Sequence, residues 1–211
     1  MSIALAPASR AKSRVKVVLF GLLGLATVLV LYMKNSRIMD PTSDIAQHFS
    51  PVKGYLAAHA FFGMLALLLG VFQFSSRLRA RYLKVHRSLG YLYVTSVFIS
   101  APFAIPVAMG TGTPSLTAAA SLQSLGWVVT TSIALYCVKR GNIVQHRRWM
   151  IRSYPFAMIF TVARLLIPIP PIFRLGITGI EMVVWITIAA AAFLPSIFLD
   201  WRAISERPAE S

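Results

Sequence analysis

The chain has few acidic residues and a single cysteine. Of its 211 residues only 6 are Asp or Glu, whereas 21 are Lys or Arg. Cys137 lies inside an apolar stretch, so the sequence predicts neither a disulfide framework nor a thiolate metal site. It contains no catalytic-type carboxylate pair, no glycine-rich phosphate loop and no nucleophile with a neighbouring base. Hydrolase and kinase chemistry therefore has no support.

Apolar residues dominate the rest of the sequence. The chain is 57% hydrophobic and only 13% charged, and its mean hydropathy is +0.70. This composition is too apolar for a soluble domain of this size. We therefore expect an all-α, multi-pass protein of the inner (plasma) membrane, with residues 1–211 forming a single integral membrane domain.

Six apolar runs reach or approach the roughly 17–25 residues needed to cross the hydrocarbon layer. The predicted spans are 17–33, 55–74, 89–109, 116–138, 149–167 and 177–199. A basic segment, 1–16, precedes the first span, and no small-residue cleavage pattern follows it. We therefore expect a retained membrane anchor rather than a signal peptide. A polar tail, 200–211, follows the last span.

The distribution of Lys and Arg predicts the orientation of these spans. Basic residues cluster in segment 1–16, in loop 77–87, around 139–152 and in the tail. Because basic loops are retained on the cytoplasmic side, both termini are predicted to be cytoplasmic. The net charge of +15 then reflects membrane topology and contact with anionic lipids at the cytoplasmic face, and nucleic-acid binding is not expected.

A weak internal repeat places two histidines at equivalent positions in the sequence. Spans two and three form a hairpin whose loop ends RYLKVHR, and spans four and five form one whose loop ends RGNIVQHR. Parallel repeats of this kind are related by an axis along the membrane normal. The repeat predicts that His86 and His146 lie at equivalent depth on the cytoplasmic side and face each other.

The sequence around His146 predicts that it lies on a helix. Asn142 followed three residues later by Gln145 resembles a capping box, so a helix should begin there. The face that starts at His146 continues through small and polar residues to Arg164. A similar small-residue face on span two starts at His59, and it suits either close helix packing or a flat cofactor, with packing favoured.

Three ionisable residues lie within the predicted spans near their outer ends: His59, Arg164 and Glu181. Charged groups inside a membrane normally face the bundle interior and have partners. We therefore predict an outer polar cluster in which Arg164 pairs with Glu181 and His59 lies nearby. About 24 Å of helix separates His59 from the inner end of its span, which excludes a shared zinc site with the inner histidines.

Four sequence stretches together resemble an uncharacterised bacterial membrane family, domain of unknown function 2306. They are LLLGVFQF after His59, HRSLGYLYV beginning at His86, HRRWMIRSY beginning at His146, and VARLL around Arg164. The resemblance covers about 55–168 and implies a four-helix membrane core. A basic residue is more usual at the position of Tyr91. Membership of this family implies no established activity.

The inner histidines also resemble the paired imidazoles of b-type di-haem cytochromes, which are supplied by neighbouring helices. This analogy predicts that His86 and His146 are the axial ligands of haem b. They are predicted to bind a metal only as ligands of the haem iron. Arg87, Arg147 and Arg148 would lie near the propionates. A second haem lacks an obvious ligand pair, because His59 would need His48 from a loop.

The haem hypothesis makes the protein an electron-transfer component, with quinone or another redox partner at the outer cluster. If it is an enzyme, it would be part of a membrane oxidoreductase. Two alternatives remain open. A transporter or proton-coupled carrier would use His59, Arg164 and Glu181. A structural or assembly protein would use its basic collars to bind anionic lipid, and local composition alone favours that interpretation.

Overall fold

A computed structural model describes residues 42–205 together with the single positions 25 and 29. The first predicted span, 17–33, and the basic segment 1–16 lie outside the described residues, apart from those two positions. The end of the predicted tail, 206–211, lies outside them as well. Over 42–205 the chain forms helices joined by short connections.

Five long helices and three short ones make up residues 42–205. The long helices are α2 (Lys53–Gln73), α4 (Leu83–Met109), α5 (Pro114–Lys139), α6 (Ile143–Leu166) and α8 (Gly176–Ser205). The short helices are α1 (Asp44–His48), α3 (Ser76–Arg81) and α7 (Pro170–Phe173). Two long helices, α4 and α6, begin well before the corresponding apolar run, because hydropathy marks the apolar part of a helix and not its polar ends.

Four of the described helices are long and apolar enough to cross a membrane. They cover Ser50–Gln73, Leu83–Met109, Pro114–Lys139 and Gly176–Trp201. The structure therefore shows an all-helical, multi-pass arrangement with four candidate spans among the described residues. Helix α6 contains all but the last residue of the predicted span 149–167 and is not one of the four. Its four arginines, Arg147, Arg148, Arg152 and Arg164, lower its hydropathy.

Helix α6 is nevertheless central to the bundle. It packs against α5, α8 and α2, while α4 packs against both α2 and α5. Along α6 the residues Ser153, Ala157 and Thr161 are buried, as the small and polar face read from the sequence predicts. The core around them is formed mainly by small side chains and aromatic rings. The arginine-containing helix is thus held by its neighbours.

Glycines allow the helices to approach closely. A Cβ atom at Gly70 of α2 would overlap the ring of Tyr154 on α6, and one at Gly126 of α5 would come within 2.7 Å of the Phe156 ring. At Gly63 the nearest side-chain atom would be the Ser100 hydroxyl, 3.1 Å away. The small-residue face of span two therefore serves helix packing, which is the favoured of its two predicted roles.

Candidate functional site

Helix α6 begins with the cap that the sequence predicts. The Asn142 side-chain oxygen accepts a hydrogen bond from the Gln145 backbone nitrogen at 3.1 Å, which satisfies one of the free N–H groups of the first turn. The backbone nitrogen of Asn142 donates to the carbonyl of Cys137 at 2.9 Å, so it does not need the Gln145 side chain that a full capping box would supply. His146 is consequently the fourth residue of a well-started helix.

Helix α4 is started by the short helix before it. The Ser75 hydroxyl caps α3 by accepting a hydrogen bond from the Leu78 backbone nitrogen at 3.2 Å. Arg79 on α3 then donates from Nη1 to the Gln73 carbonyl at 3.0 Å, which fastens α3 to the end of α2. The chain turns at Tyr82 into α4, and His86 is its fourth residue.

A buried hydrogen-bond network links α4 to α6. The Tyr93 hydroxyl of α4 and the Ser153 hydroxyl of α6 lie 3.0 Å apart, and both residues are fully or almost fully buried. From α5, Thr131 reaches Ser153 at 2.7 Å and the Trp127 indole nitrogen donates to Tyr93 at 3.3 Å. Three helices are therefore joined at one level.

This network places the two histidines at the same level. Tyr93 follows His86 by seven residues, and Ser153 follows His146 by seven residues. Seven residues are almost two helical turns, or about 10.5 Å, so each histidine lies on nearly the same helix face as its network residue. Because Tyr93 and Ser153 touch, His86 and His146 lie across from each other where α4 and α6 begin.

Both histidines line one cavity of about 810 Å³, here called the histidine cavity. Its apolar wall is formed by Phe74, Val94, Leu135 and Met150. Its basic side chains are Arg79, Arg87, Lys139 and Arg147. The sequence predicts two of these, Arg87 and Arg147, but not Arg79 or Lys139. Arg148, which was also predicted to lie near the propionates, does not line the cavity.

The histidine cavity is electropositive. None of the described residues that line it is Asp or Glu. Arg79 belongs to α3, outside the candidate spans, and burial together with the positive charge of Arg147 lowers the pKa of its guanidinium. Two cations that repel each other beside an apolar wall can be stabilised by an anionic group bound between them. The cavity therefore suits a ligand with a flat apolar body and one or more anionic substituents.

The His146 ring has a hydrogen bond that leaves its other nitrogen available. Its Nδ1 lies 2.8 Å from the carbonyl oxygen of Ala134 on α5. A carbonyl can only accept, so Nδ1 carries the hydrogen and Nε2 keeps a free lone pair in the neutral ring. A hydrogen bond from Nδ1 to a backbone carbonyl is the usual support of a metal-ligating histidine.

The His86 ring has a different partner, the side-chain amide of Gln73. Assigned from its hydrogen-bond partners, the amide nitrogen donates to His86 Nδ1 at 3.1 Å and to the His86 carbonyl at 3.3 Å. The amide oxygen accepts from the Gly90 backbone nitrogen at 3.3 Å. In this orientation the hydrogen of the neutral ring lies on Nε2. The sequence motifs do not single out Gln73.

The donor set fits a haem better than a closed metal site. In the described part of the chain, no group of three or more His, Cys, Asp or Glu side chains could hold a metal ion together. A structural zinc needs four protein ligands and a catalytic zinc three, whereas a haem iron needs only its axial ligands. Two opposed imidazoles, an apolar wall and basic side chains meet that lesser requirement.

In the structure, His59 and Arg164 contact residues outside the predicted outer cluster. His59 Nδ1 lies 3.0 Å from the Ser100 carbonyl, and the Ser100 hydroxyl donates to the His59 carbonyl at 3.0 Å, so His59 joins α2 to α4. The Arg164 guanidinium carbon lies 5.0 Å from the Phe160 ring centroid. The predicted pairing of Arg164 with Glu181 stays a prediction. Position along a span does not determine which way a side chain points around its helix, and the prediction relied on position alone.

Comparisons with known proteins give one match. Neither the curated proteins nor the solved structures include one that matches the chain. A family model described as "Predicted membrane protein (DUF2306)" matches residues 56–204, which is well over half of the chain and includes every residue of the histidine cavity. The protein therefore belongs to the DUF2306 family of membrane proteins, as the sequence motifs predict.

Proposed function

We propose that this protein is a b-type haem-binding, electron-transfer protein of the inner membrane, with His86 and His146 as axial ligands. One observation carries the proposal: the two imidazoles line the same cavity, at the same level of two helices that a buried hydrogen bond links. Axial ligands on facing helices are how helical bundles hold a haem. An anchoring collar alone would not need two histidines opposite each other.

The size and chemistry of the cavity support this ligand. Its volume of about 810 Å³ falls within the roughly 300–1,000 Å³ of cofactor and small-molecule sites. Phe74, Val94 and Met150 would contact the macrocycle. Arg87 and Arg147 would pair with the propionates, since charge-assisted hydrogen bonds to carboxylates are the strong ones.

Each part of the chain has a defined role in this proposal. The Ala134 carbonyl orients the His146 ring, and the Tyr93–Ser153 contact holds α4 and α6 in register. The apolar wall excludes water, which strengthens the electrostatic contribution of the arginines. When bound, the haem supplies one-electron chemistry. A quinone or another small carrier is the proposed redox partner.

The proposed membrane arrangement has six spans and cytoplasmic termini. Helix α6 is the fifth of these; its 24 residues correspond to about 36 Å, enough to cross the hydrocarbon layer. Its Arg152 donates from Nε to the Ser196 hydroxyl of α8 at 3.1 Å and lies 5.0 Å from the Trp149 ring centroid, so the charge has partners. The histidine cavity then faces the cytoplasm, where anionic lipids contact the exposed arginines.

The absorption spectrum of the purified protein, oxidised and then reduced with dithionite, tests the proposal. Protein from haem-replete cells should show a Soret band that sharpens and shifts on reduction. His146→Ala should lose the haem, and His48→Ala should keep it, because His48 is exposed on α1.

A colourless protein that is folded and carries no haem would overturn this function. The basic side chains would then be assigned to anionic lipid, as in the collar hypothesis. Loss of a measurable solute or proton flux on Glu181→Gln would instead support the carrier hypothesis, which no contact of the described residues favours at present.

A further inference from the structure

The two histidines of the cavity have different hydrogen-bond partners, although they occupy equivalent positions. The partner of His146 is the backbone carbonyl of Ala134, inside α5 and near its end, which cannot donate. The partner of His86 is a side-chain amide, which can present either its nitrogen or its oxygen. The protonated nitrogen is therefore fixed for His146 and depends on Gln73 for His86.

The surroundings of Gln73 favour one amide orientation. With the nitrogen toward His86, the amide makes three contacts, to the His86 ring, the His86 carbonyl and the Gly90 backbone nitrogen. With the oxygen toward His86, the amide oxygen would face the His86 carbonyl, which is also an acceptor. The amide nitrogen would face the Gly90 N–H, which is also a donor. Ligation through Nε2 of His86 needs Nδ1 to carry the hydrogen, and therefore needs this second, poorer orientation.

We infer that Gln73 is a positioning residue that holds His86 with its hydrogen on Nε2, so that His146 would be the firmly held axial ligand and His86 the one that a small neutral ligand such as carbon monoxide displaces. The ligand-binding part rests on the proposed function; the positioning part rests on the Gln73 contacts alone. The site is then a binding site for a diatomic molecule as well as an electron carrier.

The positioning part is tested without haem. Nitrogen-15 NMR of histidine-labelled, haem-free protein at about pH 8.5, where an ordinary histidine is neutral, distinguishes the two ring forms. We expect His146 with hydrogen on Nδ1 and His86 with hydrogen on Nε2, the signals being assigned by His86→Ala and His146→Ala. In Gln73→Leu the His86 signals should move toward a mixture of both forms. Hydrogen on Nδ1 of His86 in the unmodified protein would overturn the inference.

The ligand-binding part is tested by carbon monoxide titration of the reduced, haem-loaded protein. Gln73→Leu should bind carbon monoxide about tenfold more weakly. In the unmodified protein His86 would have to give up its contacts to Gln73 before it could compete for the iron, and in the variant it has no such contacts to lose. Tenfold is about 1.4 kcal/mol, the scale of one or two net hydrogen bonds. Gln123→Leu is the matched control, since Gln123 donates to the Phe156 carbonyl and does not line the cavity.

The outcomes separate the two proposals. Equal carbon monoxide affinity in the unmodified protein and Gln73→Leu would overturn the ligand-binding part. Absence of haem from every preparation would overturn it together with the proposed function, whereas the NMR result would still decide the role of Gln73.

Discussion

The Ser153 hydroxyl joins three helices, and its removal tests the argument that places the histidines at one level. It lies 3.0 Å from the Tyr93 hydroxyl of α4 and 2.7 Å from the Thr131 hydroxyl of α5, in a fully buried position. Ser153→Ala removes both contacts without adding volume. Tyr93 keeps its bond from Trp127 but loses its partner on α6.

The expected loss of stability follows from these two contacts. A net hydrogen bond contributes about 0.5–1.5 kcal/mol in soluble proteins and about 0.6 kcal/mol on average between membrane helices. Two inter-helix bonds, with buried hydroxyls left behind on Tyr93 and Thr131, predict a destabilisation of about 1–2 kcal/mol. That is a fivefold to thirtyfold change in the unfolding equilibrium constant, by the relation of about 1.4 kcal/mol per factor of ten.

Unfolding in mixed micelles of a mild detergent and dodecyl sulfate, followed by circular dichroism, measures this change. Ser96→Ala is the matched control, because Ser96 is equally buried but donates to the Leu92 carbonyl of its own helix at 2.7 Å. Such bonds within a helix add little stability, so the control should change by less than about 0.5 kcal/mol. Equal effects of the two substitutions would refute the claim that the Ser153 contacts hold α4 and α6 together.

Three further predictions concern packing, capping and topology. Gly70→Ala should destabilise the protein by about 1–3 kcal/mol in the same unfolding assay, because its Cβ would overlap an aromatic ring of α6. Gly54→Ala is the control and should be neutral or stabilising, since its Cβ would meet nothing within 4 Å. Asn142→Ala should lose about 1 kcal/mol with the α6 cap, and Asn142→Ser should restore most of it; equal stability of the two variants would argue against the cap. The topology is tested by labelling single cysteines introduced into a chain without Cys137. A membrane-impermeant maleimide should label Gln47→Cys in intact cells and Arg140→Cys only after permeabilisation. The reverse pattern would invert the proposed topology.

The helices were predictable where one-dimensional signals are strong. Apolar runs locate α2, α4, α5 and α8, because burying such a run in lipid outweighs any other local preference. The start of α6 was predictable from Asn142, since a cap is a local interaction between residues close in sequence. The start of α4 at Leu83 was not, because no side chain caps it and its first turn alternates apolar and basic residues.

The candidate site was predictable only in part. Its two histidines were expected from the His-Arg repeat, and the structure places both on one cavity. The contributions of Gln73 and Arg79 were not expected, since they depend on how α2 ends and how α3 turns back onto it. The Arg164–Glu181 pair stays a prediction, because the rotation of each helix about its axis is set by packing that the sequence pattern does not contain.

The approximate repeat explains why His86 and His146 occupy the same position in their helices. The two hairpins are not identical, and this explains why the histidines have different hydrogen-bond partners. In both α4 and α6 the histidine is the fourth residue and the residue of the buried network is the eleventh. The supports come from helices that are not equivalent: His146 uses a carbonyl within α5, whereas His86 uses the last side chain of α2. A backbone carbonyl inside a helix cannot turn, but an amide at a helix end can. In the proposed haem site one ligand position would therefore be fixed and the other adjustable, which suits a site that must both retain a cofactor and open one side of it.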